Sequence, residues 1–171
     1  MGTADWHIAQ VNIALLRAPL GSPALEGFVS LLEPINALAD TSPGFVWRLQ
    51  GEGGDATGIR AFGDDRIIVN LTVWETIEAL GRFVFESRHA EVLRRRRGWF
   101  EKMTEAYLAL WWIPAGTIPT IEEAERRVAM LRDRGVSPEA FTLREPFPSP
   151  GTNVPVASQD RWEYPKTPHP A

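Results

Sequence analysis

Apolar and polar positions alternate with a period of two in three stretches of this chain. Residues 7–16 place Val11, Ile13 and Leu15 on one side and Gln10, Asn12 and Ala14 on the other. Residues 66–74 place Ile67, Val69, Leu71 and Val73 opposite Ile68, Asn70, Thr72 and Trp74. Residues 45–50 place Phe45, Trp47 and Leu49 opposite Val46, Arg48 and Gln50. Successive side chains of a strand point to opposite faces, so each stretch predicts a strand. One face of the resulting sheet is aliphatic. The other carries amides, a hydroxyl, a guanidinium and an indole. Residues 107–113 form a further apolar strand bounded by Pro114 and Gly116, and residues 141–144 a short strand candidate.

Between these stretches the period changes to three and four. Leu25, Phe28, Val29, Leu32, Ile35 and Leu38 predict an amphipathic helix over about 23–39, with Pro34 expected to kink or divide it. Ser22-Pro23 supplies its start and Ser42-Pro43-Gly44 the turn that follows. Ile77, Leu80, Phe83 and Val84 predict a helix over 76–85. Val92, Leu93, Phe100 and Met103 predict another over about 89–106. Thr120-Ile-Glu-Glu123 has the form of a capping box, opening a helix that runs to Arg134 and stops at Gly135. Residues 51–58 are a loop, and 59–62 continue it or form a short strand. From Pro146 onward prolines are dense and periodicity disappears.

The order of elements is strand, helix, strand, strand, helix, strand. This is the ferredoxin-like βαββαβ order of an α+β protein with an antiparallel sheet. The expected domain covers residues 5–145, with residues 120–135 as a helical appendix and 146–171 as a proline-rich extended tail. Helices are expected on the aliphatic face. The amphipathic face then requires a ligand or a second copy of the chain, so a homodimer is expected.

Composition narrows the chemistry. The chain has 171 residues, enough for one ordinary domain. Its net charge of -4 and pI of about 5.4 argue against a nucleic-acid partner, which calls for a positive field. It has no cysteine, which excludes disulfides, thiolate nucleophiles and cysteine-ligated metals and fits a cytoplasmic location. No signal peptide and no apolar run of membrane-spanning length is visible, so no membrane association is expected. Seven tryptophans are the unusual feature. Each combines a large apolar area with an N–H that needs a partner, which suits cores, pockets and interfaces.

Strand parity alone gathers Gln10, Asn12, Arg48, Gln50, Asn70, Thr72 and Trp74 on one face. Such a mixture of polar and aromatic groups suits a small-molecule pocket. The competing reading is a polar network filled with water. His89, at a helix start, is a candidate general base because its ordinary pKa is near neutrality. The competing role is a structural hydrogen bond. His7 falls on the aliphatic face, where a structural role is expected, and His169 lies in the tail. Three scattered histidines give no zinc spacing, and no metal site is expected. Arg94 to Arg97 is a basic run, but consecutive helical positions point to all sides. A solvated surface with Glu91–Arg95 and Arg97–Glu101 pairs is expected, with Arg96 nearest the inward stripe. Trp111 and Trp112 point to opposite faces, and Trp111 is taken as the pocket-facing candidate. Gly51-Glu-Gly-Gly54 lacks the residues of a phosphate loop.

Several segments also carry a resemblance. Val69-Asn-Leu-Thr-Val-Trp-Glu-Thr-Ile-Glu-Ala-Leu80, followed by Phe83, Ser87 and His89, resembles the strand-into-helix segment of the dimeric α+β barrel superfamily. That superfamily includes cofactor-free antibiotic-biosynthesis monooxygenases and haem-degrading monooxygenases. Trp6-His-Ile-Ala-Gln-Val-Asn12, Pro43-Gly-Phe-Val-Trp-Arg48, Arg94-Arg-Arg-Arg-Gly-Trp-Phe100 and Leu110-Trp-Trp-Ile-Pro-Ala-Gly116 are more closely similar to a bacterial domain family of unknown function within it. The resemblance implies a dimeric barrel and a monooxygenase-like oxidoreductase acting on a small aromatic or polyketide-like substrate. It implies no cofactor and Asn12 and Trp74 as a catalytic pair, with a core place at the strand end as the competing role of Trp74. His89 completes the expected catalytic set, and strand parity and the helix stripe give Gln10, Arg48, Asn70, Thr72, Arg96 and Trp111 as expected substrate contacts. Two alternatives stand beside it. One is a haem-binding protein with His89 as ligand; the other is a ligand-binding or interaction module without catalysis.

Overall fold

A computed structural model describes residues 5–152. Four antiparallel strands are β1 (Trp6–Leu15), β2 (Phe45–Arg48), β3 (Ile67–Trp74) and β4 (Leu108–Pro114). They lie in the order β2-β3-β1-β4, consistent with the ferredoxin-like arrangement. Asn12 stands opposite Asn70 and Gln10 opposite Thr72 across β1 and β3. Phe141 extends the β4 edge by a pair of backbone hydrogen bonds with Leu110, 2.8 and 2.9 Å long, so the last strand candidate is reduced to a bridge.

Helix α1 spans Glu26–Thr41 without a break, despite Pro34. Pro34 is on the exposed side, where water satisfies the carbonyl left without its partner. At Gly44 the backbone has φ of 82°, and a Cβ there would fall 2.5 Å from that of Ala79, so the turn into β2 requires glycine. Thr76 caps α2 (Ile77–Gly81) by accepting from the N–H of Ala79 at 3.0 Å. The chain then widens into a π-helical turn, Arg82–Glu86. Helix α3 is shorter than its apolar pattern predicts. It covers only His89–Arg95 and tightens to a 3-10 turn at Arg96–Gly98. Trp99 and Phe100 then bury themselves beside Phe28, and Phe100 bridges to Leu16, which pulls the chain off the helix axis. Helix α4 (Ile121–Arg134) forms as its capping box predicts, with Thr120 accepting from the N–H of Glu123 at 3.1 Å.

The helices distribute over the sheet differently from expectation. The aliphatic face carries Ala9, Val11, Ile13, Val69, Leu71, Val73, Ala109, Trp111 and Ile113 and packs on Ala124, Val128 and Leu131 of α4. Ile59, Ala61 and Phe62 from the long β2–β3 loop complete this cover, and the Phe62 N–H donates to Glu125 Oε1 at 2.7 Å. The polar face lies under α1, α2 and α3 instead. It is apolar at both ends and polar between them. At one end Ile8, Trp74 and Leu110 pack on Ala39, Ile77, Leu80 and Phe83. At the other, Ala14 and Ile68 meet Leu25, Phe28 and Phe100. Helices dock on these two ends and bridge the polar centre.

Both faces of the sheet are thus covered within one chain, so the uncovered face that argued for a homodimer does not exist. A β-bulge between Phe45 and Trp47 also corrects the parity of β2. It puts Phe45 on the side of Arg48 and against Trp74, while Trp47 and Leu49 join the aliphatic core. The packed chain continues beyond residue 145, because Trp112 Nε1 donates to the Phe147 carbonyl at 2.9 Å. The expected tail from residue 153 on is outside the described residues.

Candidate functional site

The polar centre of the sheet is the floor of a cleft. Two lobes adjoin there, one of about 610 Å³ and one of about 150 Å³. They share Asn12, Asn70, Thr72, Phe83, His89 and Arg96 as lining. The wide lobe extends past Gln10 towards Tyr107, Arg94 and Arg97. The narrow lobe runs under α1, between Phe28, Leu32, Ile35, Val92 and Phe100.

The polar floor residues are not equivalent. Gln10 and Thr72 are each 5% exposed and form a closed chain with Trp74. Trp74 Nε1 donates to Thr72 Oγ1 at 3.0 Å, and Thr72 Oγ1 donates to Gln10 Oε1 at 2.9 Å. A buried indole N–H and a buried amide oxygen are thereby satisfied, as burial demands. Asn12 and Asn70 lie beside this chain, and among the described residues their side chains have no hydrogen-bond partner. Two amides free to bind face one another across adjacent strands.

Trp74 is placed differently from its expected role. Its side chain is fully buried and does not line the cleft. It stacks on Phe83 with ring centroids 5.1 Å apart, and Phe83 lines both lobes. The indole therefore positions the ring that a bound molecule would meet. Trp111 is on the aliphatic face and separate from the cleft. Its Nε1 donates to Glu123 Oε1 of α4 at 3.0 Å, and Arg127 lies over its ring. Arg48 lines the narrow lobe but is already engaged. It donates to Asp40 through Nε at 2.8 Å and Nη2 at 3.2 Å, and to the Gly54 carbonyl through Nη1 at 2.7 Å. Gln50 is exposed in the loop and does not line the cleft. His7 is on the face covered by α4, with its Nδ1 buried and without a partner among the described residues.

His89 lines both lobes from the first turn of α3. Ser87 fixes the turn, donating to the Phe83 carbonyl and accepting from the His89 N–H at 3.1 Å. The imidazole Nδ1 is 3.3 Å from the Val84 carbonyl. A carbonyl only accepts, so Nδ1 carries the proton and Nε2 is the basic nitrogen. Burial holds the His89 pKa below its ordinary value, with the Val84 carbonyl opposing weakly. The ring is therefore neutral near pH 7 and able to accept a proton.

The arginine run is the largest departure at this site. Arg94, Arg96 and Arg97 all line the wide lobe. Only Arg95 turns away, 3.9 Å from Glu91 and over the Trp99 ring. Tightening of the helix after Arg95 removes the even angular spread on which the solvated-surface expectation rested. Arg96 is fixed by Tyr107, its Nη1 donating to the hydroxyl at 3.1 Å with the guanidinium 4.7 Å from the ring centre. Glu101, spaced to pair with Arg97, sits near Arg66 instead, its N–H bound to the Leu15 carbonyl.

Among the described residues no group of three or more His, Asp or Glu side chains is placed to hold a metal. No described helix is long and apolar enough to cross a membrane. Residues 7–157 match the profile of a family described as Domain of unknown function (DUF3291). No curated protein matches the chain. Among solved structures, PA3566 from Pseudomonas aeruginosa is similar with 13% identity and a TM-score of 0.44, covering 68% of this chain and 100% of its own. A protein of unknown function from Nitrosomonas europaea, NE2512, is similar with 9% identity and a TM-score of 0.42, covering 68% of this chain and 98% of its own.

Proposed function

The chain belongs to the DUF3291 family, whose domain has no known function, and we propose from the cleft itself that it binds a small organic molecule and that His89 removes a proton from it. One observation carries this reading: the Nδ1–Val84 contact leaves Nε2 as the base, on a ring that lines both lobes with the unpaired amides of Asn12 and Asn70. The lowered pKa keeps the imidazole unprotonated near pH 7 and so able to accept a proton from a C–H or O–H, and the amides donate hydrogen bonds to the oxygen that gains charge. Phe83, backed by Trp74, packs on the ring of the substrate.

The resemblance to cofactor-free monooxygenases supplies the next step. The deprotonated, electron-rich substrate reduces dioxygen directly. A CH₂ group becomes a carbonyl: two C–H bonds break, one oxygen atom forms the C=O bond, and the other leaves as water with the two protons. Positioning and electrostatics are the protein's contribution. All the cleft residues come from one chain, so pairing of two copies into a barrel is not required to complete it. Oxygen consumption with a panel of electron-rich phenols and cyclic ketones tests this reading. Turnover that survives in His89→Gln, or no turnover with any substrate that binds, overturns it.

The same imidazole favours a second reading. A histidine whose Nδ1–H is fixed by a carbonyl offers Nε2 to a metal, and the arginines of the wide lobe suit haem propionates. Haem would bring its own redox chemistry, and these residues would hold and orient it. A Soret band on haem addition, absent in His89→Ala, selects this reading over the first.

A further inference from the structure

The cleft is polarised along its length, and the polarity specifies what it holds. The wide lobe is lined by Arg94, Arg96, Arg97 and Arg144 and, among the described residues, by no aspartate or glutamate. This occurs in a chain of net charge -4, so the positive field is local to the lobe. Arg94 and Arg97 have no carboxylate partner among the described residues, because Glu91 goes to Arg95 and Glu101 lies near Arg66. Arg96 is held by Tyr107 in a fixed orientation. A planar guanidinium presents paired N–H groups that match the two oxygens of a carboxylate.

The opposite end is apolar and small. Phe28, Leu32, Ile35, Val92 and Phe100 form the apolar side of a lobe of about 150 Å³, which also meets Asn36, Arg48, Asp55 and Thr57. A volume of roughly 150 Å³ has the capacity for one benzene-sized ring. The charged groups that line this lobe are engaged: Arg48 pairs with Asp40, Asp55 accepts from the N–H and hydroxyl of Thr57 at 2.8 and 2.6 Å, and Arg96, shared with the wide lobe, is held by Tyr107. Between the two ends are Asn12, Asn70 and His89, the groups without internal partners or with a free basic nitrogen.

We infer that the cleft takes an aryl carboxylate, its ring in the Phe28–Phe100 lobe and its carboxylate among Arg94, Arg96 and Arg97. The inference rests on the proposed function only in taking this cleft as the binding site, and it names the substrate class. The middle of the bound molecule faces His89, so the acidic position lies between ring and carboxylate. Deprotonation there creates a second negative charge, which the same arginines stabilise.

The test uses two probes of equal shape on the full chain, 3-phenylpropionate and its neutral amide, with acetate as a ring-less control. Calorimetry is expected to show the carboxylate binding about tenfold or more tightly than the amide. The preference is expected to shrink as salt rises from about 0.01 to about 0.15 M. The double variant Arg94→Gln/Arg97→Gln is expected to lose the preference and keep the amide affinity. Both residues are exposed, so its melting temperature should match the wild type. Equal binding of carboxylate and amide in the wild type overturns the inference while the small-molecule cleft stands. Acetate binding as well as 3-phenylpropionate overturns the assignment of the ring to the apolar lobe. No binding of any probe at millimolar concentration overturns both the inference and the cleft as a site.

Discussion

The two faces of one four-stranded sheet are built to opposite ends. Under α4 the face is apolar apart from His7, its strand residues Ala9, Val11, Ile13, Leu71, Val73 and Ala109 at 1% exposure or less. Under α1, α2 and α3 the face is apolar only at its ends. Its centre keeps two amides without partners and an open space of about 610 Å³. A protein gains stability by filling such a space. On the proposed reading, one face holds the fold and the other trades stability for a site.

Substitutions that separate the faces test the contrast. Leu71→Ala in the aliphatic core should cost about 2–5 kcal/mol, read as a fall in the denaturation midpoint. Thr72→Val should cost about 1–3 kcal/mol, because it leaves the Trp74 N–H and the Gln10 oxygen buried without their shared partner. That loss would show that the closed chain at the rim of the cleft is structural. A smaller effect is expected from pH. His89 binds its proton less readily when folded than when unfolded, so its contribution to stability is full above its ordinary pKa of about 6.5. That contribution falls away as pH drops below that value, towards the lowered folded pKa. His89→Gln should flatten the stability profile on the acid side of neutrality. The aliphatic face has no counterpart to this dependence in Leu71→Ala.

The strands, their order and the α4 cap were legible because each depends on local chemistry. Period-two alternation marked β1 and β3, and Thr120 with Glu123 marked the start of α4. The face that the helices cover was not legible from pattern. Counting aliphatic residues sends helices to the side of Val69 and Leu71. Docking, however, needs apolar contact only where helices touch, and Ile8, Trp74 and Leu110 at one end with Ile68 at the other provide it. Parity still gathered Gln10, Asn12, Asn70 and Thr72 correctly. It failed at Phe45, where the bulge shifts the register, and Trp111 was assigned to the wrong side. The arginine cluster was missed because ideal helical spacing was applied past Arg95, where Trp99 and Phe100 turn the chain inward.

The most direct test of the division between the faces is the double variant Asn12→Val/Asn70→Val, compared with wild type by thermal melting with and without 3-phenylpropionate. Valine suits a strand and removes both unpaired amides without opening a core cavity. If this face is a site, the melting temperature stays level or rises and the ligand-induced shift shrinks, because the space that receives the middle of the ligand is reshaped. If instead the variant melts as early as Leu71→Ala and still shows the full ligand shift, the polar face is a second core and the account of the cleft is wrong.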